Sequence, residues 1–112
     1  MLHPLIECVV KKGIPVTVCF EQEMGLFFDL NTEMKSGAKL VFSEGGYTIH
    51  TRYNKPEFVA VDKDNLDGAF NDLCWRVKDC MCNRDFLSNH WEKVLLEEDV
   101  LKKEVITSVK YS

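Results

Sequence analysis

Asp64-Asn-Leu-Asp-Gly-Ala-Phe-Asn-Asp-Leu-Cys-Trp-Arg-Val-Lys-Asp-Cys-Met-Cys-Asn-Arg-Asp-Phe-Leu-Ser-Asn-His-Trp-Glu-Lys-Val-Leu-Leu96 is where the chain changes its hydrophobic period, and that change decides the fold. Asp64 or Asn65 offers a cap. Leu66, Phe70, Leu73 and Val77 then recur at spacings of four, three and four, the period of one helix face. Ala69, Cys74 and Met81 widen the stripe, and Asn83 is a suitable left-handed terminator. Asp85 is the expected cap of a second helix whose inner face is Phe86, Trp91, Val94 and Leu95.

Upstream, the segments are short and rich in β-branched and aromatic residues. Leu5–Val10 and Ile14–Phe20 read as strands joined by a hairpin at Lys11-Lys12-Gly13. Met24–Leu30 follows, then a polar turn at Asn31–Gly37. Lys39–Phe42 and Tyr47–Tyr53 flank Ser43-Glu44-Gly45-Gly46, whose glycines suit a tight hairpin. Glu57–Val61 completes the run. Downstream, Val105, Thr107, Val109 and Tyr111 alternate with Glu104, Ile106, Ser108 and Lys110, which predicts a last strand. The expected fold is α+β: an antiparallel sheet of short N-terminal strands plus a C-terminal strand, covered by two helices.

At 112 residues the chain is expected to form one domain, residues 1–112, with a small core. A composition of 46% hydrophobic and 29% charged residues is that of an ordinary globular protein. No apolar run reaches the roughly 20 residues of a spanning helix, and the first residues lack a basic leader before a long apolar stretch. A cytoplasmic protein that does not engage membranes is the expectation. Through Pro56 there are six basic and six acidic residues, and beyond it eight and twelve, so the net charge of -4 belongs to the helical half. Such a balance lacks the basic face that phosphate-backbone binding needs, so no direct contact with DNA is expected.

Five cysteines at irregular spacing (Cys8, Cys19, Cys74, Cys80, Cys82) argue for reduced, buried thiols over a disulfide framework. Cys80 and Cys82 stand too close for the usual zinc pair, and Cys74 falls on the apolar helix stripe, so no metal is expected. None of His3, His50 and His90 sits in a recognisable catalytic motif, and no phosphate-cradling glycine loop is present. Binding without catalysis, and without a cofactor, is the expected mode.

Two patches offer binding chemistry. In Tyr47-Thr-Ile-His-Thr-Arg-Tyr53, alternation sets Thr48, His50 and Arg52 on the face opposite Tyr47, Ile49, Thr51 and Tyr53, with Asn54 and Lys55 beyond. Hydroxyl, imidazole and guanidinium together suit an anionic oxygen cluster, and equally the solvated face of a half-covered sheet. The second patch is the inter-helix corner, where Arg84, Asn89 and His90 add donors near a helix N-terminus and Phe86 or Trp91 can stack on a ring. Its plainer reading makes Phe86 and Trp91 core and Asp85 a cap. The candidate ligand-binding residues are therefore His50, Arg52, Asn54, Arg84, Phe86 and Asn89. Both tryptophans lie near this corner, which suggests burial between subunits and a homo-oligomer.

The arrangement Val77-Lys78-x-Cys80-Met81-x-x-Arg84-Asp85-Phe86-x-x-x-x-Trp91-x-x-Val94-Leu95, followed by Val100-Leu101-x-x-x-Val105-x-Thr107-x-Val109-x-Tyr111, resembles the C-terminal half of small proteins carried by bacteriophages. It is also similar to the Thoeris anti-defence sponges, homo-oligomers that sequester cyclic ADP-ribose signals made by a host TIR-domain enzyme. The resemblance covers residues 66–111. It implies a non-catalytic trap for a small diphosphate-containing nucleotide, acting in the host cell cytoplasm. The alternative is a protein–protein inhibitor of a host defence or transcription enzyme. It would work through the acidic residues Asp79, Asp85, Glu92, Glu97, Glu98 and Asp99.

Overall fold

A computed structural model describes residues 3–32, 37–52, 54–80 and 87–101. The chain opens with a helix, α1 (Pro4–Lys11), where the sequence reading expects a strand at Leu5–Val10. Three local signals outweigh the strand preference of Ile6, Val9 and Val10. Pro4 sits in the first turn, where its fixed φ fits and its missing N–H costs nothing. The Leu5 N–H donates to Nδ1 of His3 at 3.1 Å, which caps the helix. At the other end Gly13 takes φ +90, with the Gly13 N–H on the Val10 carbonyl and the Ile14 N–H on the Val9 carbonyl. This is a Schellman closure, and it replaces the hairpin expected at Lys11-Lys12-Gly13. Leu5, Ile6 and Val9 are fully buried, a helical and not an alternating pattern.

Five strands follow as an antiparallel meander in the order β1-β2-β3-β4-β5. They are β1 (Thr17–Glu21), β2 (Gly25–Asp29), β3 (Lys39–Ser43), β4 (Gly46–His50) and β5 (Glu57–Ala60). Ser43 pairs with Gly46, so Glu44 and Gly45 form the two-residue loop, and Gly45 supplies φ +85. Gly46 is needed for another reason: a Cβ there would run into the Val59 carbonyl of β5. The strand predicted over Tyr47–Tyr53 stops at His50, whose partner Lys39 is the first residue of β3; past that point β3 offers no further residue to pair.

Helix α2 (Leu66–Asp79) starts at Asn65, whose side chain accepts the Gly68 N–H at 3.2 Å. Phe70, Leu73, Cys74 and Val77 form its buried stripe, as the spacing predicts. Helix α3 (Asn89–Glu97) is capped by Ser88, whose Oγ accepts the Trp91 N–H at 3.3 Å. Ser88, not Asp85, is therefore the cap; Asp85 itself, with Met81, Asn83, Arg84 and Phe86, lies outside the described residues. The strand expected over 105–111 lies outside them too.

The sheet's inner face carries Phe28, Leu40, Tyr47, Ile49 and Val59 into one core with Leu5, Ile6 and Val9 of α1, the α2 stripe, and Trp91, Val94 and Leu95 of α3. Trp91 is the anchor between layers: its indole N–H donates to the Leu30 carbonyl at 2.6 Å, and the Ser88 N–H donates to the Thr32 carbonyl at 3.0 Å. Because Trp91 is fully buried, it cannot serve the subunit interface expected at the inter-helix corner. The core reaches β2 through Phe28 but not the far edge: β1 contributes no buried side chain, and Val18, Phe20 and Leu26 remain largely exposed. No helix among the described residues is long and apolar enough to cross a membrane.

Candidate ligand face on the outer side of the sheet

Tyr47 and Ile49 point into the core, so Thr48 and His50 lie on the outer face, as alternation requires. The register then assembles a row across four strands that the sequence did not display. Thr17 pairs with Asp29, Asp29 with Lys39, and Lys39 with His50. Lys39 Nζ stands 5.2 Å over the ring of Phe27, which holds the ammonium stem on this outer face. An ammonium and an imidazole thus sit on directly paired positions of β3 and β4, where cross-strand side chains are close neighbours.

One step along β4, Thr48 pairs with Val41 on one side and Phe58 on the other. Phe58 is 54% exposed, an aromatic ring left on the surface beside a hydroxyl. Ring, hydroxyl, imidazole and ammonium are the groups that a base-plus-phosphate ligand needs: a flat apolar surface for stacking and donors for anionic oxygens. Asp29 is the counterweight in the row. Its carboxylate accepts the Asn31 N–H at 2.9 Å, and Asn31 in turn braces Thr17 and the Pro15 carbonyl.

Arg52 is exposed in the bend just after β4, so it extends the row from a loop and not from the strand. Asn54 is exposed as well, and its amide lies 4.0 Å from Sγ of Cys80, at the C-terminal end of α2. That contact brings the segment after β4 to the C-terminal end of α2. Asn89 is the first residue of α3 and exposed; Arg84 and Phe86 lie outside the described residues. Lys39 and Phe58 were missed by sequence reasoning. Lys39 read only as the polar start of a strand, and register is not a local property.

Elsewhere the chemistry is quieter. Burial, then the charge of Glu98, pushes the Cys74 thiol up to about 12, so it carries no thiolate near neutral pH. Among the described residues no group of three or more His, Cys, Asp or Glu side chains converges on a metal-sized site. Clefts also open on the helical side among the described residues. One, of about 200 Å³, includes Tyr47, Val59, Asp62, Asn65 and Asp72. Another, of about 420 Å³, includes Cys8, Lys12, Asp67, Phe70 and Glu98. Neither is lined by His50, Arg52, Asn54 or Asn89. Arg76 ties β5 to α2: its Nε donates to Asp72 at 2.8 Å and its Nη1 to Glu57. Burial opposes that charge, but the two carboxylates outweigh it and hold the guanidinium protonated.

The chain matches no protein-family model, and neither a curated protein nor a solved structure is similar to it.

Proposed function

We propose that this is a non-catalytic phage counter-defence protein that binds and sequesters a small phosphate-bearing nucleotide of the cyclic ADP-ribose type. The outer face of the sheet is its binding surface. The observation that carries the reading is the register that sets Lys39 beside His50 and Phe58 beside Thr48. Lys39, His50 and Arg52 supply positive or proton-donating groups for the phosphates, Asn54 adds an amide, and Phe58 offers the ring for the base. Such a trap needs no activated nucleophile, only groups that hold the intact molecule.

Incubation with cyclic ADP-ribose isomers, removal of free ligand, heat release and mass spectrometry test the reading. Intact ligand is expected in the released fraction. Phe58→Ala is expected to weaken retention roughly tenfold or more, as loss of one base stack does. Lys39→Ala is expected to weaken it and to reduce its salt dependence. No retained ligand, together with capture of one host protein at low salt, would replace this reading with that of a protein–protein inhibitor.

A further inference from the structure

The cleft between β5 and the first turns of α2 holds a buried polar group that its own walls leave unsatisfied. Tyr47 reaches it from β4, where it pairs with Val59, and the residue is fully buried. Its hydroxyl makes no hydrogen bond among the described residues. Buried hydroxyls are ordinarily paired, so this one calls for a partner that enters from the cleft. Burial first, and then the charges of Asp72, Arg76 and Glu57, act on the phenol. Those groups stand on α2 and β5, the elements that wall the cleft, so the hydroxyl end of the ring is turned toward it.

The walls carry negative charge and little bulk. Ala60 on β5, with Gly68 and Ala69 on α2, have side chains too small to close a space of about 200 Å³. Asp72 accepts from Arg76 Nε through Oδ2 at 2.8 Å, and Asp62 accepts the Asp64 N–H through Oδ1 at 2.9 Å. Each carboxylate keeps a second oxygen. Arg76 is shared with Glu57, so one guanidinium stands against the three carboxylates of Glu57, Asp62 and Asp72. Lys63 is exposed and does not line the space. Asn65 spends its side-chain oxygen on the Gly68 N–H. What remains is a neutral hydroxyl and carboxylate oxygens, all able to accept, beside the apolar flanks of Val59 and Val61. Two carboxylates are too few for a calcium ion, which takes about six to eight oxygens. An organic cation with N–H donors and a short apolar body matches both the charge and the flanks.

We propose that this cleft binds a small primary ammonium, whose N–H groups donate to the Tyr47 hydroxyl and to the second oxygen of Asp72. Its carbon chain lies against Val59 and Val61, with Asp62 at the mouth. An ammonium carries three donors, enough to serve all three acceptors. The volume falls below the roughly 300–1,000 Å³ of sites for drug-sized ligands, so the occupant is a chain of a few heavy atoms. Affinity in the millimolar range is what so few atoms support, and added salt weakens it. The cleft lies on the helix-covered side of the sheet, so it is filled or empty regardless of whether the outer face takes a nucleotide.

Titration of the whole chain with n-butylammonium chloride at low salt, followed by two-dimensional amide NMR, tests the proposal, with n-butanol as the uncharged probe of the same shape. Saturable shifts at the Ala60, Gly68 and Ala69 amides are expected with the ammonium and not with the alcohol. Tyr47→Phe keeps the ring and removes only the hydroxyl; it should weaken binding roughly tenfold. Asp62→Asn, at an exposed position, keeps an acceptor for the Asp64 N–H and should weaken binding severalfold through the lost charge. It serves as the second variant, and both should keep the far-ultraviolet spectrum. A lysine side chain shares this chemistry with a free amine. Tighter binding of N-acetyl-lysine methylamide than of n-butylammonium would assign the site to a partner's lysine, and the reverse order to a free amine. No saturable shift, an equal response to n-butanol, or undiminished binding by both variants would overturn the proposal and leave ordered water as the hydroxyl's partner.

Discussion

Trp91→Phe is the substitution that probes the layer structure most sharply. The indole is fully buried and its N–H donates to the Leu30 carbonyl at 2.6 Å, just past the end of β2. Phenylalanine removes that donor and leaves a carbonyl in the core without its partner, at a cost of about 1–3 kcal/mol. It also removes the second ring, and the lost contacts and residual space add about 1–2 kcal/mol. A total near 3–4 kcal/mol is a large share of the 5–15 kcal/mol typical of such a domain. At about 4 °C per kcal/mol for a chain of this size, the midpoint should fall by about 12–16 °C. Guanidinium unfolding followed by far-ultraviolet circular dichroism gives the free energy, with an unchanged m-value expected if only the native state has lost interactions. A loss below about 1 kcal/mol would refute the placement of α3 against the β2 exit, since no fully buried anchor gives way so cheaply.

Tyr47→Phe should move stability the other way. The Tyr47 hydroxyl is buried with no hydrogen-bond partner among the described residues, and burial first, then the Asp72 carboxylate, holds the phenol well above its ordinary range. Deleting it should leave stability unchanged or raise it by about 1 kcal/mol in the same unfolding assay; a clear loss would show that the hydroxyl is satisfied. His3 predicts a pH effect. Burial, then Lys63, lowers its folded-state pKa from 6.5, so the unfolded chain binds more protons at that site. Stability from His3 is therefore fully present above pH 6.5 and falls as the pH drops through that value toward the folded pKa. His3→Asn keeps a capping acceptor and should lose this slope, which urea midpoints between pH 7.5 and 5.5 resolve. Gly46→Ala should cost about 2–3 kcal/mol, because the new Cβ meets the Val59 carbonyl and β5 has to shift.

The parts of the fold that were legible in the sequence are those written in local periods. Leu66, Phe70, Leu73 and Val77 declared α2, and the two-residue loop Glu44-Gly45 declared its hairpin through a single positive φ. Helix α1 was misread for a physical reason. Ile6, Val9 and Val10 carry strand propensity, while the decisive signals lie at the ends, in His3-Pro4 and Gly13. Propensity is a weak prior, and caps with a buried stripe overrode it. Trp91 was read onto the inner face of the second helix and is buried there, while its hydrogen bond to the Leu30 carbonyl is a long-range contact that no local period displays.

The candidate site shows the same division. The outward direction of His50 followed from alternation, but its neighbour Lys39 and the Phe58 next to Thr48 depend on strand pairing between residues eleven and ten positions apart. The meeting of Asn54 with Cys80 is longer-range still. Arg84 and Phe86, which the sequence reading placed in the inter-helix patch, lie outside the described residues, so the surface rests on β3, β4, β5 and the bend after β4.

The central claim is that the outer sheet face holds a small nucleotide without altering it. The most direct measurement is mass spectrometry of what the purified protein retains and releases after exposure to cyclic ADP-ribose isomers, run in parallel on Phe58→Ala. Release of intact ligand by the natural chain, reduced about tenfold or more in the variant, is the predicted result. Absence of bound ligand, release of a hydrolysed product, or equal retention by the variant would contradict it.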